Sequence, residues 1–345
     1  MAEVEFLNLR ECIIENNDII QRRLINKFLV DQGLKVEDNV EYTFALLNEE
    51  SVVATGSLDG KVIKYVAVDE SYQGIGIANK IVSNLINEAH RKGTQHLFVY
   101  TNPKNLNIFL DLGFYEIAQV PGMVVLLENQ NRGIDNFMKE ISSSRKDGLK
   151  ISAIVVNCNP FTLGHQYLIE KAAEESDILH IFVVSEDKSD FPTEIRLRLV
   201  KEGTKHLENV VVHQTKNYLI SSATFPSYFM KRYDDIVKTH ALLDIEIFAR
   251  YFVPALGINH RYVGEEPFCQ LTSTYNDTMK IVLPKYGIKV VEVPRMKEGT
   301  EVISASRVRK LLREGKLIDT KKLLPITTYQ FLTSQEGQKI IEKIK

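Results

Sequence analysis

Apolar positions change their rhythm near the middle of the chain. Before residue 130 they fall in short runs rich in β-branched and aromatic side chains: Tyr42 to Leu47, Val52 to Ser57 and Val62 to Val68. Asn48-Glu49-Glu50 and Asp59-Gly60 separate these runs, as hairpin turns do. A helix is predicted from Gly76 to Arg91, with Ile77, Ile81, Leu85 and Ala89 on one face and Gly93 as its stop. A strand from His96 to Tyr100, a helix from Leu106 to Leu112 and strands near Tyr115 and Val124 follow. After residue 150 strands and helices alternate. The strands are Ile151 to Val156, Ile178 to Val184, Val210 to His213, Tyr262 to Val263 and Val290 to Val293. The helices include His165 to Glu175 and Glu194 to His206. Alternation of this kind predicts a parallel sheet covered on both faces. Between the two patterns, Asn129 to Lys150 is polar and charged, with a connecting helix expected from Ile134 to Ile141. The expected division is residues 1–131, a linker over 132–149, and a second domain over 150–345 that closes in helices.

Composition narrows the class. The 345 residues carry a formal net charge of −2 and are 44% hydrophobic, enough for two cores. No basic stripe suggests nucleic acid, and no run reaches membrane-spanning length. Cys12, Cys158 and Cys269 are widely spaced and form no CxxC pair, so neither a disulfide framework nor a structural zinc site is expected. The acidic N-terminus lacks the apolar core of a signal peptide. The expectation is a cytoplasmic enzyme with no nucleic-acid or membrane partner and no metal held by protein ligands.

The densest chemistry lies in Asn157-Cys-Asn-Pro-Phe-Thr-Leu-Gly-His165, which leaves the first strand of the second half and opens a helix. Ligands of open α/β sheets bind at such strand ends, where helix N–H groups and dipole attract phosphate. Gly164 allows close backbone approach, and Thr162 and His165 offer donors for charge on an α-phosphate under attack. Far downstream, Ile303-Ser-Ala-Ser-Arg-Val-Arg309 offers the hydroxyls of Ser304 and Ser306 at a helix start and the planar cation of Arg309. Tyr262-Val-Gly-Glu-Glu-Pro267 ends a strand and offers a contact to the nucleoside, and Glu194-Ile-Arg-Leu-Arg198 opens a helix. No Walker A motif is present. The first stretch resembles the (H/T)xGH signature of the nucleotidyltransferase superfamily, preceded as there by Asn159-Pro160-Phe161. The second resembles its ISSTxxR signature, with Ala305 in place of one serine. The resemblance implies ATP binding by Asn159, Pro160, Phe161, Thr162, Gly164, His165, Gly264, Ser304, Ser306 and Arg309, with Thr162, His165 and Arg309 catalytic.

In the first half, Gln73-Gly74-Ile75-Gly76-Ile77-Ala78 joins a strand to a helix, and its glycines let successive N–H groups converge on an anion. Gln73, Gly76 and Ala78 fit the Q/R-x-x-G-x-G/A signature of GNAT acetyltransferases, and Leu112-Gly113-Phe114 resembles the close of that domain. The resemblance covers roughly residues 5–130 and implies that this loop holds a coenzyme A-like pyrophosphate. Where many relatives place a general-acid tyrosine, this chain has Phe109, and no clear base precedes the loop. Binding without acyl transfer is the expectation.

A GNAT-like mixed α/β domain followed by a Rossmann-like parallel-sheet nucleotidyltransferase domain resembles the citrate lyase ligase family over nearly the whole chain. That resemblance implies an AMP-forming acid–thiol ligase using ATP, with Mg²⁺ on its phosphates, and acetate. Its acceptor would be the thiol of the dephospho-coenzyme A-type prosthetic group on the acyl-carrier subunit of citrate lyase. A plain adenylyltransferase acting on a phosphopantetheine-like or nucleotide acceptor shares both motifs, and would release a dinucleotide product instead of AMP. A regulatory protein sensing nucleotide and acyl-coenzyme A is the third reading, disfavoured by the retained His165, Ser304, Ser306 and Arg309.

Overall fold

The computed structural model describes residues 9–15, 17–36, 40–185, 189–219, 230, 233–266 and 270–344. Cys269 and Pro267 lie outside them. Contacts group the chain into two compact units, Met1–Gly133 with Pro226–Thr239, and Ile134–Phe225 with His240–Lys345.

The first unit is a seven-stranded sheet. Its strands are β1 (Arg10–Ile14), β2 (Tyr42–Asn48), β3 (Ser51–Asp59), β4 (Val62–Val68), β5 (Phe98–Thr101), β6 (Tyr115–Val120) and β7 (Val124–Glu128), in the spatial order β1-β2-β3-β4-β5-β7-β6. All neighbours are antiparallel except β4 and β5. That parallel pairing covers only Val62 with Phe98 and Ile63 with Val99, so the remainder of β4 runs on without β5 to the loop at Gln73. Helices α1 (Ile19–Asp31), α2 (Ile77–Arg91) and α3 (Leu106–Asp111) complete the unit. The apolar face of α2 seats Ile81 and Leu85 over Gly56, where a Cβ would lie 2.5 Å from Ile81 Cγ2. Only glycine admits that approach.

β1 and α1 are absent from the sequence-based prediction. Helix α1 buries Ile25, Phe28 and Leu29 yet exposes Ile19, Ile20, Leu24 and Val30. Apolar residues around the whole circumference blur the one-sided period that marks a surface helix.

The second unit holds five parallel strands: β8 (Ile151–Val156), β9 (Ile178–Val183), β10 (Val210–Gln214), β11 (His260–Gly264) and β12 (Lys289–Val293). Their order, β10-β9-β8-β11-β12, reverses between β8 and β11, which makes the carboxyl end of β8 a topological switch point. Helices α4 (Gly133–Ser142), α5 (Leu163–Glu174), α6 (Thr193–Gly203), α7 (Tyr233–Ile247, whose residues up to Thr239 group with the first unit), α8 (Val253–Leu256), α9 (Gln270–Val282), α10 (Ala305–Arg313), α11 (Ile326–Thr333) and α12 (Gln335–Ile344) accompany them, with a small hairpin of β13 (Lys297–Glu298) and β14 (Glu301–Val302) before α10. Ile154 and Val156 of β8, Ile169 of α5, Leu199 of α6, Val308 of α10 and Leu332 of α11 share one core. Phe182 of β9 meets Phe248 and Phe252 edge-on. The stretch 132–149, expected as a linker around a helix, forms α4, and Ile134, Phe137, Met138 and Ile141 are buried. Phe137 stacks on Tyr218 at 5.4 Å, so α4 is part of the packing of the second unit.

His180 of β9 and His213 of β10 are a buried pair, Nδ1 to Nε2 at 2.9 Å. Desolvation pushes each down to about 4. Both are therefore neutral when folded and take up protons when unfolded at pH below about 6.5. The sign follows: the unfolded chain binds more protons between pH 6.5 and 4, so stability is full above that window and falls as pH drops through it. Thermal unfolding of the second unit should lose midpoint temperature steeply from pH 6.5 to 4. His180→Asn with His213→Asn should flatten that slope, and an unchanged slope would mean that other groups carry the acid sensitivity.

Candidate functional site

The loop that leaves β8 is shaped from beneath by Arg196 of α6, whose side chain is fully buried. Its Nε donates to Phe191 O at 2.9 Å, and Nη1 donates to Asn157 O at 2.8 Å, Asn157 Oδ1 at 2.6 Å and Val184 O at 2.7 Å. Nη2 donates to Thr193 Oγ1 at 2.8 Å. One guanidinium thus gathers the carboxyl ends of β8 and β9 and the start of α6. Asn159 Oδ1 accepts from Phe191 N at 3.0 Å and ties the same two segments. Phe161 is fully buried against Gly203 of α6, where a Cβ would lie 2.3 Å from its ring. Of the residues expected to bind ATP, Pro160 and Phe161 therefore anchor the loop by burial, and the Asn159 side chain braces it.

Thr162 is the N-cap of α5, in extended conformation. Thr162 Oγ1 accepts from His165 N at 3.4 Å, while His165 Nδ1 accepts from Thr162 N at 3.1 Å and lies 2.9 Å from Thr162 Oγ1. This is a capping box with histidine in the place usually taken by Glu or Gln. Accepting a backbone N–H requires a lone pair on Nδ1, so the ring proton resides on Nε2. Burial pushes His165 down to about 4, and the Arg295 charge adds to the shift. The result is a neutral imidazole, fixed by its own helix cap, that presents one N–H donor.

The downstream motif meets this loop. Ser304 is the N-cap of α10, its Oγ accepting from Arg307 N at 3.2 Å, which leaves its O–H proton to donate elsewhere. A Cβ on Gly164 would lie 2.9 Å from Ile303 O. The sequence reading assigns Gly164 to close approach of an anion; in the fold its missing side chain lets the two motifs touch. Arg309 Nη1 donates to Asn159 O at 2.5 Å, Nη2 lies 3.5 Å from Ser306 Oγ, and Nε lies 2.9 Å from Asp190 Oδ2. Thr162, Gly164, His165, Ser304, Ser306 and Arg309 are thus collected around the starts of α5 and α10. Gly264 ends β11 across the switch point, and its carbonyl accepts from Asn276 Nδ2 at 3.0 Å. Tyr262 presents no ring to a nucleoside: it is buried, and its hydroxyl donates to Glu175 at 2.6 Å.

Sequence reasoning misses Asp190 and Arg295, and names Arg196 only within the Glu194–Arg198 helix start, without a role. Arg295 donates from Nε to Glu265 O at 2.6 Å and from Nη2 to Glu266 Oε2, and its charge is felt at His165. None of the three lies inside a motif. The only signal for Arg196 is its place in the Glu194–Arg198 helix start. Among the described residues, no group of three His, Cys, Asp or Glu side chains is arranged to hold a metal ion, and no helix is long and apolar enough to cross a membrane.

In the first unit the Gln73 loop follows a short turn capped by Asp69, whose Oδ1 accepts from Ser71 N at 3.0 Å. Gln73 Nε2 donates to Val68 O at 3.0 Å and pins the loop to the end of β4. Gly74 and Gly76 are left-handed, with φ of 79° and 82°, and nothing within 4 Å of where a Cβ would stand. Gly76 caps α2 without a side chain, and the first turn of α2 holds no acidic residue. Ile75 points outward, Ile77 is buried, and Ala78 is half-buried at the helix start. The loop is exposed at the N-terminus of α2, whose first backbone N–H groups have no partner within the helix. Phe109 is buried and packs edge-on against Phe114 at 5.9 Å, so it is a core residue.

Residues 151–332 match the family model described as the citrate lyase ligase C-terminal domain, and residues 17–157 match an acetyltransferase (GNAT) domain. The chain is 41% identical over 313 residues to the citrate (pro-3S)-lyase ligase of Escherichia coli (strain K12), covering 89% of each chain. It is 39% identical over 316 residues to the protein of that name from Klebsiella pneumoniae, covering 90% of this chain and 92% of that one. The counterpart from Haemophilus influenzae is 39% identical over 319 residues, covering 90% of this chain and 94% of that one. With both domains matched and the similarity running through nine-tenths of its length, the chain belongs to the citrate (pro-3S)-lyase ligase family of enzymes.

Proposed function

We propose that the protein is an ATP-dependent acetate:thiol ligase that acetylates the prosthetic-group thiol of the acyl-carrier subunit of citrate lyase. The observation that carries the reading is the neutral His165 donor at the start of α5, set among Ser304, Ser306 and Arg309. Acetate is a poor acyl donor. A carboxylate oxygen attacking the α-phosphate of ATP forms a P–O bond and expels pyrophosphate, leaving acetyl-adenylate. No covalent bond to the enzyme is needed, so catalysis consists of alignment and of stabilising charge on the phosphoryl oxygens. His165 Nε2–H donates to an α-phosphate oxygen. It is already neutral, so it offers a donor without a proton that could be lost to the carboxylate nucleophile. Ser304 and Ser306 donate to the β- and γ-phosphates, and Arg309 adds a cation. Mg²⁺ carried in with the nucleotide would supply further charge neutralisation beside that of Ser304, Ser306 and Arg309. The thiolate of the carrier then attacks the acetyl carbonyl, a C–S bond forms, and AMP leaves.

The thiol belongs to a dephospho-coenzyme A-type group that carries a pyrophosphate. The Gln73–Ala78 loop of the first unit, with its open N–H groups at the start of α2, suits that anion. Phe109 offers no proton, in keeping with a domain that holds the group while the second unit performs the activation.

His165→Ala should lower acetate-dependent pyrophosphate release by about 10²–10³, the cost of losing one preorganised donor, with the fold retained by circular dichroism. Release within a few-fold of the wild-type rate would remove His165 from the chemistry. The same release assay should show no step between pH 6 and 8 attributable to His165, because its titration is displaced to about 4.

Gly76→Val should retain acetyl-adenylate formation, read as acetohydroxamate with hydroxylamine as the acceptor, while acetylation of the carrier thiol falls. A β-branched residue cannot hold φ of 82° without strain and would cover the N–H groups of the loop. Normal carrier acetylation by this variant would separate the loop from the prosthetic group.

A further inference from the structure

Asp190 lies between β9 and α6, outside both signature motifs. Its Oδ2 is 2.9 Å from Arg309 Nε, and its Oδ1 is 3.7 Å from Arg313 Nη2. Arg309 is held a second time where Nη1 donates to Asn159 O at 2.5 Å. With the guanidinium ion-paired to Asp190 through Nε and hydrogen-bonded to the Asn159 carbonyl through Nη1, its Nη2 lies 3.5 Å from Ser306 Oγ at the start of α10. The pair is shielded, with side-chain exposures of 21% for Arg309 and 29% for Asp190, so it is less screened than an open surface bridge. A long arginine stem has many rotamers, and a planar fork anchored on two sides keeps one of them.

We infer that Asp190 is the positioning residue of the polyphosphate subsite: it fixes Arg309 so that the Nη2 edge, beside Ser304 and Ser306, faces the β- and γ-phosphates of ATP. The inference rests on the reading of Arg309 as a polyphosphate contact. Electrostatics permit it. One carboxylate stands between two guanidinium groups, so this cluster keeps a net positive charge toward an incoming anion.

The test is a mutant cycle on the full-length enzyme: Asp190→Ala, Asp190→Asn, Arg309→Ala and the double Asp190→Ala/Arg309→Ala. Pyrophosphate release with acetate gives kcat and the KM for ATP, and equilibrium binding gives the AMP affinity. Thermal unfolding shows that each variant is folded. Asp190→Ala should raise the KM for ATP about fivefold, the upper scale of a partly exposed ion pair, with a smaller change in kcat and none in AMP affinity. Asp190→Asn, which keeps the shape and loses the charge, should show most of the same loss, because the contact is an ion pair at 2.9 Å without hydrogen-bond geometry. In the Arg309→Ala background Asp190→Ala should add nothing, because a residue that acts through Arg309 has nothing left to position. Additive losses, or equal weakening of AMP and ATP, would overturn the inference. So would an unchanged KM in Asp190→Ala alongside a raised KM in Arg309→Ala. If Arg309→Ala itself leaves the KM for ATP unchanged, Arg309 is no polyphosphate contact, and the underlying reading falls with the inference.

Discussion

The site of the second unit depends on one buried guanidinium. Arg196 satisfies carbonyl oxygens from Asn157, Val184 and Phe191, which belong to the loops leaving β8 and β9 and the segment entering α6. Strand ends at a switch point leave carbonyls that no ladder pairs, and orphan carbonyls out of water are costly. A planar group with five donors can serve several at once, which an ammonium with three donors on a flexible stem does less well. Once these carbonyls are fixed, Asn159 can brace Phe191 N, Phe161 can seat on Gly203, and Thr162 can start α5. The chemistry of His165 is therefore downstream of a residue that need not touch substrate.

Much of the fold is legible in the sequence because its signals are local. β4 and β8 are predicted at their observed bounds, since turn residues flank short β-branched runs. The two motifs are legible because glycine, serine and histidine at strand-to-helix junctions have few other uses. What escapes is whatever depends on tertiary placement. α1 escapes because its apolar residues ring the helix. The roles of Asp190, Arg196 and Arg295 escape because a charged residue between motifs looks like any solvated charge until the fold places it against a loop carbonyl or another motif. The role of Gly164 is half legible: its smallness is plain, but only the packing shows Ile303 O as the atom that demands it.

The capping box also changes what His165 is. A histidine in a motif reads as a residue that titrates near neutrality. Here the N3 position of α5 turns Nδ1 toward the N-cap backbone, so the same hydrogen bond that starts the helix also selects the tautomer. Protonating Nδ1 would break the bond to Thr162 N, and burial opposes the cation as well. Helix initiation and donor preparation are one interaction, so a change that weakens the cap also blurs the donor.

In the proposed reaction the two units divide chemistry that a single site would handle poorly. Activation of a carboxylate needs a dry, cationic, well-aligned pocket, whereas a thiol on a protein-borne arm needs an open groove it can enter and leave. On that proposal the second unit meets the first requirement with a half-buried, neutral imidazole and two helix starts drawn together by Gly164 and Arg309. On the same proposal the first unit meets the second with the exposed loop of Gly74 and Gly76, around which no atom stands within 4 Å of a Cβ position. Phe109 belongs to the same division. A tyrosine there would protonate a leaving thiolate, but when the thiol is the acceptor it must lose its proton and not gain one. Burying phenylalanine at that position against Phe114 removes an acid for which the proposed direction of transfer has no use.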